Sequence, residues 1–212
     1  MAESMTYNSL VQDVQLYSER SDQPFVAQIP RFIMLAENRI ATEVRGLGFI
    51  RFTSTNLTKG NGVLAKPIRW RETAAMSYVT PTNNIQFLKQ RSYTFCRSYW
   101  PVKANEDLPL YYSDYGYEHY LIVPTPNADY ELEVSYFERP TPLSSSDQTN
   151  WTTQYAPQLL LYAALLEAQP FLKRPERTQE FQALFDRAAA TVAQESQRRL
   201  QGDQTLLRSG LQ

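Results

Sequence analysis

The periodicity of the apolar residues changes twice along the chain, and this change constrains the fold more than any other feature. Toward both ends apolar residues recur every three or four positions, which is typical of amphipathic helices. Between Gly48 and Arg139 they alternate with polar residues in short runs, which is typical of β-strands. We therefore expect an α+β protein, in which an antiparallel helical bundle of the N- and C-terminal helices carries an inserted antiparallel β-sandwich or barrel-like domain.

Helices are predicted at residues 6–19, 29–44 and 175–200, each with one apolar stripe. A further helix is predicted around residues 159–166, which are apolar on all sides, so we expect it to be the most buried helix of the bundle. Gly46 is a suitable stop for the second helix.

Eight short strands are predicted in the middle of the chain. They span residues 49–55, 63–70, 75–79, 85–89, 93–100, 108–112, 117–123 and 130–137. Prolines in segments 123–127 and 139–142 cannot donate ladder hydrogen bonds, so we expect both segments to end strands. The predicted domains are a helical bundle (1–47 and 143–202), an inserted β domain (48–142) and a C-terminal tail (203–212).

Composition excludes several classes of protein. The 212 residues are 42% apolar and 20% charged, which indicates a folded chain. The longest apolar run is far shorter than the ~20 residues that a membrane-spanning helix needs. The first five residues, MAESM, lack a basic leader and an apolar core, so we expect no secretory signal. Cys96 is the only cysteine, which excludes an intramolecular disulfide and suits a reducing compartment.

The charge balance argues against a protein that grips nucleic acid. There are 21 basic and 22 acidic residues, giving a net charge of −1, whereas phosphate binding usually requires a basic excess or a basic face. We interpret the small basic clusters as solvated faces and helix ends, with a phosphate or partner contact as the alternative. These clusters are Arg69 with Arg71, Lys173 with Arg174 and Arg177, and Arg198 with Arg199.

No metal, cofactor or nucleotide site is predicted. The chain has one histidine, His119, and one cysteine, Cys96, whereas zinc usually takes at least three nitrogen or sulfur ligands. The segment 59–62, Lys-Gly-Asn-Gly, lacks the spacing of a phosphate-binding loop and the helix that should follow it. We interpret it as a turn.

Two catalytic arrangements are conceivable from the sequence, and neither is favoured. Ser113, Asp114 and His119 are close in sequence, but strand alternation gives no reason to expect relay geometry. Glu131 with Glu133 would suit a carboxylate pair of a hydrolase, as would Glu106 with Asp107. Glu131 and Glu133 fit better on the solvent-exposed face of a strand. We therefore predict no catalytic residues and no enzyme.

Tyrosines are concentrated in one short segment, and Tyr side chains are enriched at interfaces. The predicted contact loop consists of Tyr111, Tyr112, Tyr115 and Tyr117. For the aromatic residues of this region as a whole, core and cross-strand packing is the favoured interpretation, and residues 111–117 are the segment best suited to contact a partner. An alternative function also follows, a binding module whose aromatic β domain recognises a glycan or protein partner, with Trp70 and Trp100 as candidate stacking platforms.

Three segments resemble the head-to-tail adaptor, or connector, proteins of short-tailed bacteriophages. They are IPRFIMLAENRI at residues 29–40, YFERPTPLS at 136–144 and LLLYAALLEA at 159–168. Each segment is a packing pattern, and the likeness to the family lies in their order and spacing.

The resemblance implies a structural virion protein, made in the host cytoplasm, that takes part in tail assembly and genome ejection. It implies a dodecameric ring of this chain between the portal protein and the tail (nozzle or tube) protein, with the DNA channel extended through it. DNA would pass through the near-neutral ring without specific binding. Such a role requires no cofactor and no membrane.

The C-terminal residues follow the last predicted helix and have little to pack against locally. Our hypothesis is that four of them dock on the portal and become ordered when the ring assembles. They are Leu206, Leu207, Arg208 and Leu211.

Overall fold

The structure is a computed structural model that describes residues 5–209, with the backbone alone described for Leu47 and residues 200–209. It divides into two compact units. The helical unit comprises Met1–Phe49 and Arg139–Gln212, and the β unit comprises Ile50–Glu138. The predicted α+β class, with terminal helices packed together and β-sheets inserted between them in sequence, is confirmed.

The α-helices in the described part of the chain follow in sequence order. They are α1 (Tyr7–Ser18), α2 (Gln23–Val26), α3 (Ile29–Glu43), α4 (Tyr93–Tyr99), α5 (Trp151–Tyr155), α6 (Pro157–Leu172) and α7 (Pro175–Ser209). A 3-10 turn, Leu47–Phe49, precedes the first strand. None of the described helices combines the length and the apolar character that a membrane span requires.

Local capping explains where α1 begins and ends. The Thr6 side chain accepts a hydrogen bond from the Ser9 backbone, and the Ser9 hydroxyl lies 2.9 Å from the Thr6 backbone nitrogen. Glu19 ends the helix in the left-handed conformation, with φ of 53°. In α3, Pro30 occupies the first turn, where its missing N–H leaves no intrahelical bond unmade.

Helix α6 forms the centre of the helical unit, packing against α1, α3, α5 and α7. Nine of its sixteen residues are buried, which agrees with the prediction that this segment forms the most buried helix. Three phenylalanine rings, of Phe25, Phe32 and Phe171, pack with centroids 5.8 to 6.0 Å apart. Aromatic pairs at such distances add to the free energy of hydrophobic burial.

A buried carboxylate holds the segment by which the chain returns to the helical unit. Glu37 of α3 is 8% exposed, and both its oxygens lie 3.2 Å from the Leu143 backbone nitrogen. The Asn150 side-chain amide donates to the same carboxylate at 2.8 Å and to the Thr141 carbonyl at 2.9 Å. Asn150 also caps α5, because its Oδ1 accepts from the Thr152 N–H. The Glu37 carboxylate therefore links α3 to the returning segment and, through Asn150, to α5.

Burial raises the pKa of Glu37 to about 7, although the hydrogen bonds from the Leu143 N–H and the Asn150 amide act in the opposite direction. Desolvation disfavours the charged form of a carboxyl group, and neutral donors compensate it only in part.

Helix α7 is longer than predicted. We expected it to end at Leu200, but it continues to Ser209, so residues 203–209 of the predicted tail are helical. Gly202 does not interrupt it, because a single glycine costs a helix only about 1 kcal/mol relative to alanine.

The strands of the β unit form two four-stranded sheets and one small sheet. They are β1 (Ile50–Leu57), β2 (Val63–Ala65), β3 (Trp70–Val79), β4 (Ile85–Phe87), β5 (Lys89–Gln90), β6 (Glu106–Asp107), β7 (Tyr111–Tyr115), β8 (His119–Val123), β9 (Thr125–Pro126) and β10 (Tyr130–Glu138). Sheet 1 has the order β1-β10-β3-β4 and is antiparallel throughout. Sheet 2 has the order β2-β8-β7-β5, in which β5 runs parallel to β7. Strands β6 and β9 also pair in parallel.

The two large sheets share one hydrophobic core, as in a sandwich. Strands β1, β3 and β10 of sheet 1 and strands β2, β7 and β8 of sheet 2 contribute to it. Its buried members are Leu57, Leu64, Met76, Tyr78, Leu88, Tyr112, Tyr120, Ile122, Tyr130, Leu132, Val134 and Tyr136.

Several predicted strands have different bounds in the structure. The strand predicted at residues 63–70 ends at Ala65, because Pro67 and the positive φ of Arg69, 58°, form a turn before β3. The segment 123–127 ends a strand, as expected, since β8 stops at Val123, and the short strand β9 within this segment pairs with β6. Strand β10 ends at Glu138, two residues before Pro140, as expected.

Candidate functional site

The segment predicted as a strand at residues 93–100 forms helix α4 instead, so that prediction was wrong. Ser92 is the N-cap, and its hydroxyl accepts from the Phe95 backbone N–H at 3.2 Å. Tyr99 lies four residues after Phe95 and stacks on it, with ring centroids 5.8 Å apart. The cap and this pair outweigh the preference of aromatic residues for strands.

Helix α4 lies on the outer surface of sheet 2. Cys96 is fully buried in a small cluster with Leu121 and Val123 of β8, and Trp100 and Tyr111 pack at its edge. Burial raises the pKa of the Cys96 thiol. Cys96 therefore serves as a small apolar anchor for α4.

The rest of α4 leaves aromatic rings in contact with solvent. Tyr93, Phe95 and Tyr99 are exposed, although α4 joins a folded core through Cys96. Phe95 and Tyr99 both pack edge-on against Tyr111 of β7, at 5.3 and 5.1 Å between centroids. Tyr93 stacks on Tyr115 at 5.9 Å. The rings thus form two groups on α4 and β7, one of Phe95, Tyr99 and Tyr111 and one of Tyr93 and Tyr115, which we treat together as one aromatic patch.

Two arginines lie over this patch. The Arg91 guanidinium lies 5.4 Å from the centroid of Phe95, and that of Arg97 lies 5.3 Å from the centroid of Tyr93. Arginine planes and aromatic rings attract each other through the ring quadrupole. In the part of the chain that the structure describes, neither arginine forms an ion pair with a carboxylate.

We call this surface the α4 face. It consists of Arg91, Tyr93, Phe95, Arg97, Tyr99, Tyr111 and Tyr115. Exposed aromatic rings with arginine are the composition that distinguishes protein interfaces and their energetic hot spots from other surfaces.

The four tyrosines of the predicted contact loop have different environments. Tyr111 and Tyr115 belong to the α4 face, and Tyr117 lies at the β7–β8 turn with two-thirds of its side chain exposed. Tyr112 lies in the sandwich core and is removed from the contact set. The physical reason is strand alternation, because successive residues of β7 point to opposite faces of sheet 2.

A buried ammonium group fixes the turn that carries Tyr117. The Lys66 side chain is 3% exposed, and its Nζ lies 2.6 Å from Oδ1 of Asp114 and 3.2 Å from the carbonyl oxygen of Gly116. The same Nζ lies 3.5 Å from the centroid of the Trp70 ring. This contact covers part of the indole, so Trp70 does not present an open stacking platform to a sugar.

Trp100, the other candidate stacking platform, is also held by contacts within the protein. The Trp100 indole N–H donates to the Asn105 carbonyl at 3.1 Å, and the ring packs beside the cluster of Cys96, Leu121 and Val123.

The residues considered for catalysis do not come together. Ser113 is buried on the side of β7 that faces α4, whereas Asp114 points the other way and pairs with Lys66. His119 is exposed at the start of β8, opposite Tyr115. A relay from Ser113 through His119 to Asp114 is therefore not formed.

Both carboxylate pairs also lack an enclosed setting. Glu131 and Glu133 are exposed on one face of β10. Glu106 pairs with Lys59 at 3.4 Å, and Asp107 accepts from the neighbouring Leu108 N–H. Within residues 5–209, no group of three or more His, Cys, Asp or Glu side chains is arranged to hold a metal ion. The segment 59–62 forms a turn, as predicted, but it joins strands of different sheets.

The predicted portal-docking residues lie at the C-terminal end of the part of the chain that the structure describes. Helix α7 passes through Leu206, Leu207 and Arg208, whose side chains are not described, and Leu211 lies outside the described residues.

Sequence reasoning missed Arg91, Arg97 and the helix that presents Tyr93, Phe95 and Tyr99. The signal was present as an N-cap serine followed by aromatic and basic residues four apart, Tyr93 with Arg97 and Phe95 with Tyr99.

Comparison with known proteins places the chain in a family. A family model described as SU10 adaptor protein matches residues 5–207, which is nearly the whole chain and includes both units. No curated protein matches the chain.

Proposed function

The chain belongs to the SU10 adaptor protein family, and from this premise we propose that it forms a ring that joins the portal to the tail of a short-tailed bacteriophage. The match over residues 5–207 is the observation that carries the proposal, because the adaptor role then belongs to the whole chain and not to one of its units. The protein is proposed to be a structural component of the virion, placed at the head-to-tail interface after synthesis in the host cytoplasm.

In this proposal copies of the chain form a closed, dodecameric ring that extends the DNA channel. The net charge of −1 supports passage of DNA without specific binding, since a strongly basic wall would hold the phosphates. A tail nozzle or tube protein is the proposed partner on the side away from the portal.

The C-terminal part of α7 is the proposed portal contact. Leu206, Leu207 and Leu211 would supply apolar area, and Arg208 a positive charge, on a segment that a portal can cover. Removing residues 203–212 should abolish portal binding while leaving the cores of both units intact. A full-length variant with Leu206, Leu207 and Leu211 replaced by Gln is the matched control, since it keeps the helix length. Unchanged portal binding by both variants would exclude this contact.

The proposed contact surface for a protein partner is the α4 face, which includes Tyr111 and Tyr115, together with the exposed Tyr117. These rings are held by α4 and by the Lys66 contact before any partner binds, so little conformational freedom is lost on association.

The test is negative-stain electron microscopy of the purified protein mixed with the portal ring encoded beside it, with each component alone as control. An added ring of density at one end of the portal supports the adaptor. Absence of association over a range of concentrations overturns it. Glycan screening would then test the binding-module alternative, in which the exposed tyrosines contact a sugar.

A further inference from the structure

The outer face of sheet 1, on the side away from the sandwich core, carries large apolar side chains in contact with solvent. Phe52 of β1 and Ile85 of β4 are each 69% exposed, and Phe87 of β4 is 59% exposed. Val79 of β3 is paired with Ile85 and is also exposed. Single exposed apolar residues are ordinary, but several on one face of one sheet indicate a surface that a partner covers.

Two carboxylates lie in the middle of this face. Glu131 and Glu133 are exposed on β10, which runs between β1 and β3. The residues opposite Glu133 are Ser54 and Ser77, and the residue opposite Glu131 on β1 is Asn56, so the cross-strand neighbours are uncharged. Among the described residues, neither carboxylate makes an ion pair. The face therefore carries negative charge on its central strand β10, with polar neighbours across the sheet and exposed apolar side chains on β1, β3 and β4.

The α4 face lies on the opposite side of the same unit. Along β8, Tyr120 and Ile122 point into the core shared with sheet 1, whereas Leu121 and Val123 point to α4. The β unit is thus built in three layers, with α4 outside sheet 2 and sheet 1 beyond the shared core. Its two exposed apolar surfaces point away from each other.

The charges of these surfaces are complementary. The α4 face presents Arg91 and Arg97, and the outer face of sheet 1 presents Glu131 and Glu133. Each pair lies among exposed apolar side chains, so contact between the surfaces would bury apolar area and pair opposite charges at the same time.

We propose that the α4 face of one copy packs against the outer face of sheet 1 of the next copy, with Arg91 and Arg97 pairing with Glu131 and Glu133. This inference rests on the proposed ring and names the contact that closes it. Two different surfaces on opposite sides of one unit make a heterologous, head-to-tail contact, which is the type that generates rings. A second copy is the partner because one contact of this type, repeated, covers both surfaces of every subunit.

Charge reversal tests the pairing. One variant carries Arg91→Glu and Arg97→Glu, and the other carries Glu131→Arg and Glu133→Arg. Each alone should lower the fraction of portal rings that gain an adaptor layer by roughly a hundredfold at a concentration that saturates wild type, because like charges oppose each other at every contact. Glu118→Lys, an exposed change at the β7–β8 turn, is the control and should assemble as wild type.

Mixing distinguishes the head-to-tail contact from other arrangements. An equimolar mixture of the two variants should form rings of alternating subunits, and a single chain carrying all four reversals should also assemble. A contact between two α4 faces would be left intact by Glu131→Arg with Glu133→Arg, so assembly of that variant as wild type overturns the proposal.

The remaining outcomes separate the interface from the adaptor role. If wild type and all variants add the same density to the portal, the interface is overturned and the adaptor role stands. If wild type adds none, the ring fails, and the interface fails with it. Circular dichroism checks folding, and the milder pairs Arg91→Gln with Arg97→Gln and Glu131→Gln with Glu133→Gln replace any reversal that fails to fold, with about a tenfold loss expected from each.

Discussion

The helical unit buries a carboxylate among neutral donors, whereas the β unit buries an ammonium group against a carboxylate and an aromatic ring. Glu37 is held by the Leu143 N–H and the Asn150 amide. Lys66 is held by Asp114 and by the Trp70 ring. A buried charge compensated only by dipoles leaves a net desolvation cost, while an opposite charge removes much of it. The helical unit therefore has a titratable weak point where the chain returns to it, whereas the β unit secures its turn with a pair of opposite charges.

The largest expected effect is the response of the helical unit to pH. The pKa of Glu37 is about 7 in the folded chain against an ordinary value of 4.5, so between these values the folded state binds more protons than the unfolded state. The free energy of unfolding should therefore fall as pH rises from 4.5 to 7, by about 3 kcal/mol from this residue.

Glu37→Gln should flatten this dependence, because the amide does not titrate and its oxygen still accepts hydrogen bonds. Denaturant unfolding of both proteins across that pH range measures it. A slope that is the same in the variant would mean that Glu37 is not the responsible group.

The second-largest effect is expected from removing the Asn150 amide, which donates a hydrogen bond to Glu37. Asn150→Ala loses the cap of α5, the bond to Glu37 and the bond to Thr141, and should lower the free energy of unfolding by about 2 kcal/mol. Hydrogen exchange should rise in peptides covering residues 139–156 and stay unchanged in β7 and β8. Asn150→Ser is the matched variant, since a serine hydroxyl can still cap α5 while the amide donor to Glu37 and Thr141 is removed. Equal loss in both variants would show that the cap contributes little.

The third effect concerns the β unit. Lys66→Met keeps the apolar stem and removes the ammonium group, its contact with Trp70 and its bond to Asp114. Because the charge no longer needs burial, the net loss should be only about 1 kcal/mol. Exchange should rise at the β7–β8 turn, and assembly on the portal would report whether Tyr117 needs this turn. A loss as large as that of Asn150→Ala would break the contrast between the two units.

The smallest effect on stability is expected from a partly exposed ion pair in the helical unit. Arg39 of α3 contacts Glu167 of α6 at 2.6 Å, with the side chains 29% and 18% exposed. Arg39→Gln should lower the free energy of unfolding by less than about 1 kcal/mol, because water screens such pairs. Salt titration of both proteins checks the electrostatic part. A larger loss that persists in high salt would indicate that the stem packing of Arg39 over Phe185 dominates.

Helices α1, α3 and α6 were predictable because their signals are local. Capping residues, Pro30 and the apolar run around residues 159–166 act within a few positions of the helices that they define. The order of strands in the two sheets was not predictable, because pairing of β1 with β10 joins residues about eighty positions apart and no local pattern encodes it.

The candidate site was predictable only in its location. The tyrosine segment is the hairpin that carries part of the α4 face, and strand alternation alone would have separated Tyr112 from Tyr111 and Tyr115. Helix α4 was missed because aromatic residues favour strands in isolation, and the cap of Ser92 decides against that preference. The roles of Arg91 and Arg97 depend on which rings lie beneath them, which only the folded chain defines.

The pairing of the first and last strands of the β unit has an evolutionary consequence. Ile50 of β1 lies opposite Phe137 of β10, so the two ends of this unit lie roughly 5 Å apart, one strand spacing. Recombination that cut the gene at these two points could exchange the whole segment for another domain whose ends are equally close, without stretching the helices on either side. Such a replacement unit would have to bring both surfaces of the proposed ring contact with it, whereas the bundle would be inherited unchanged.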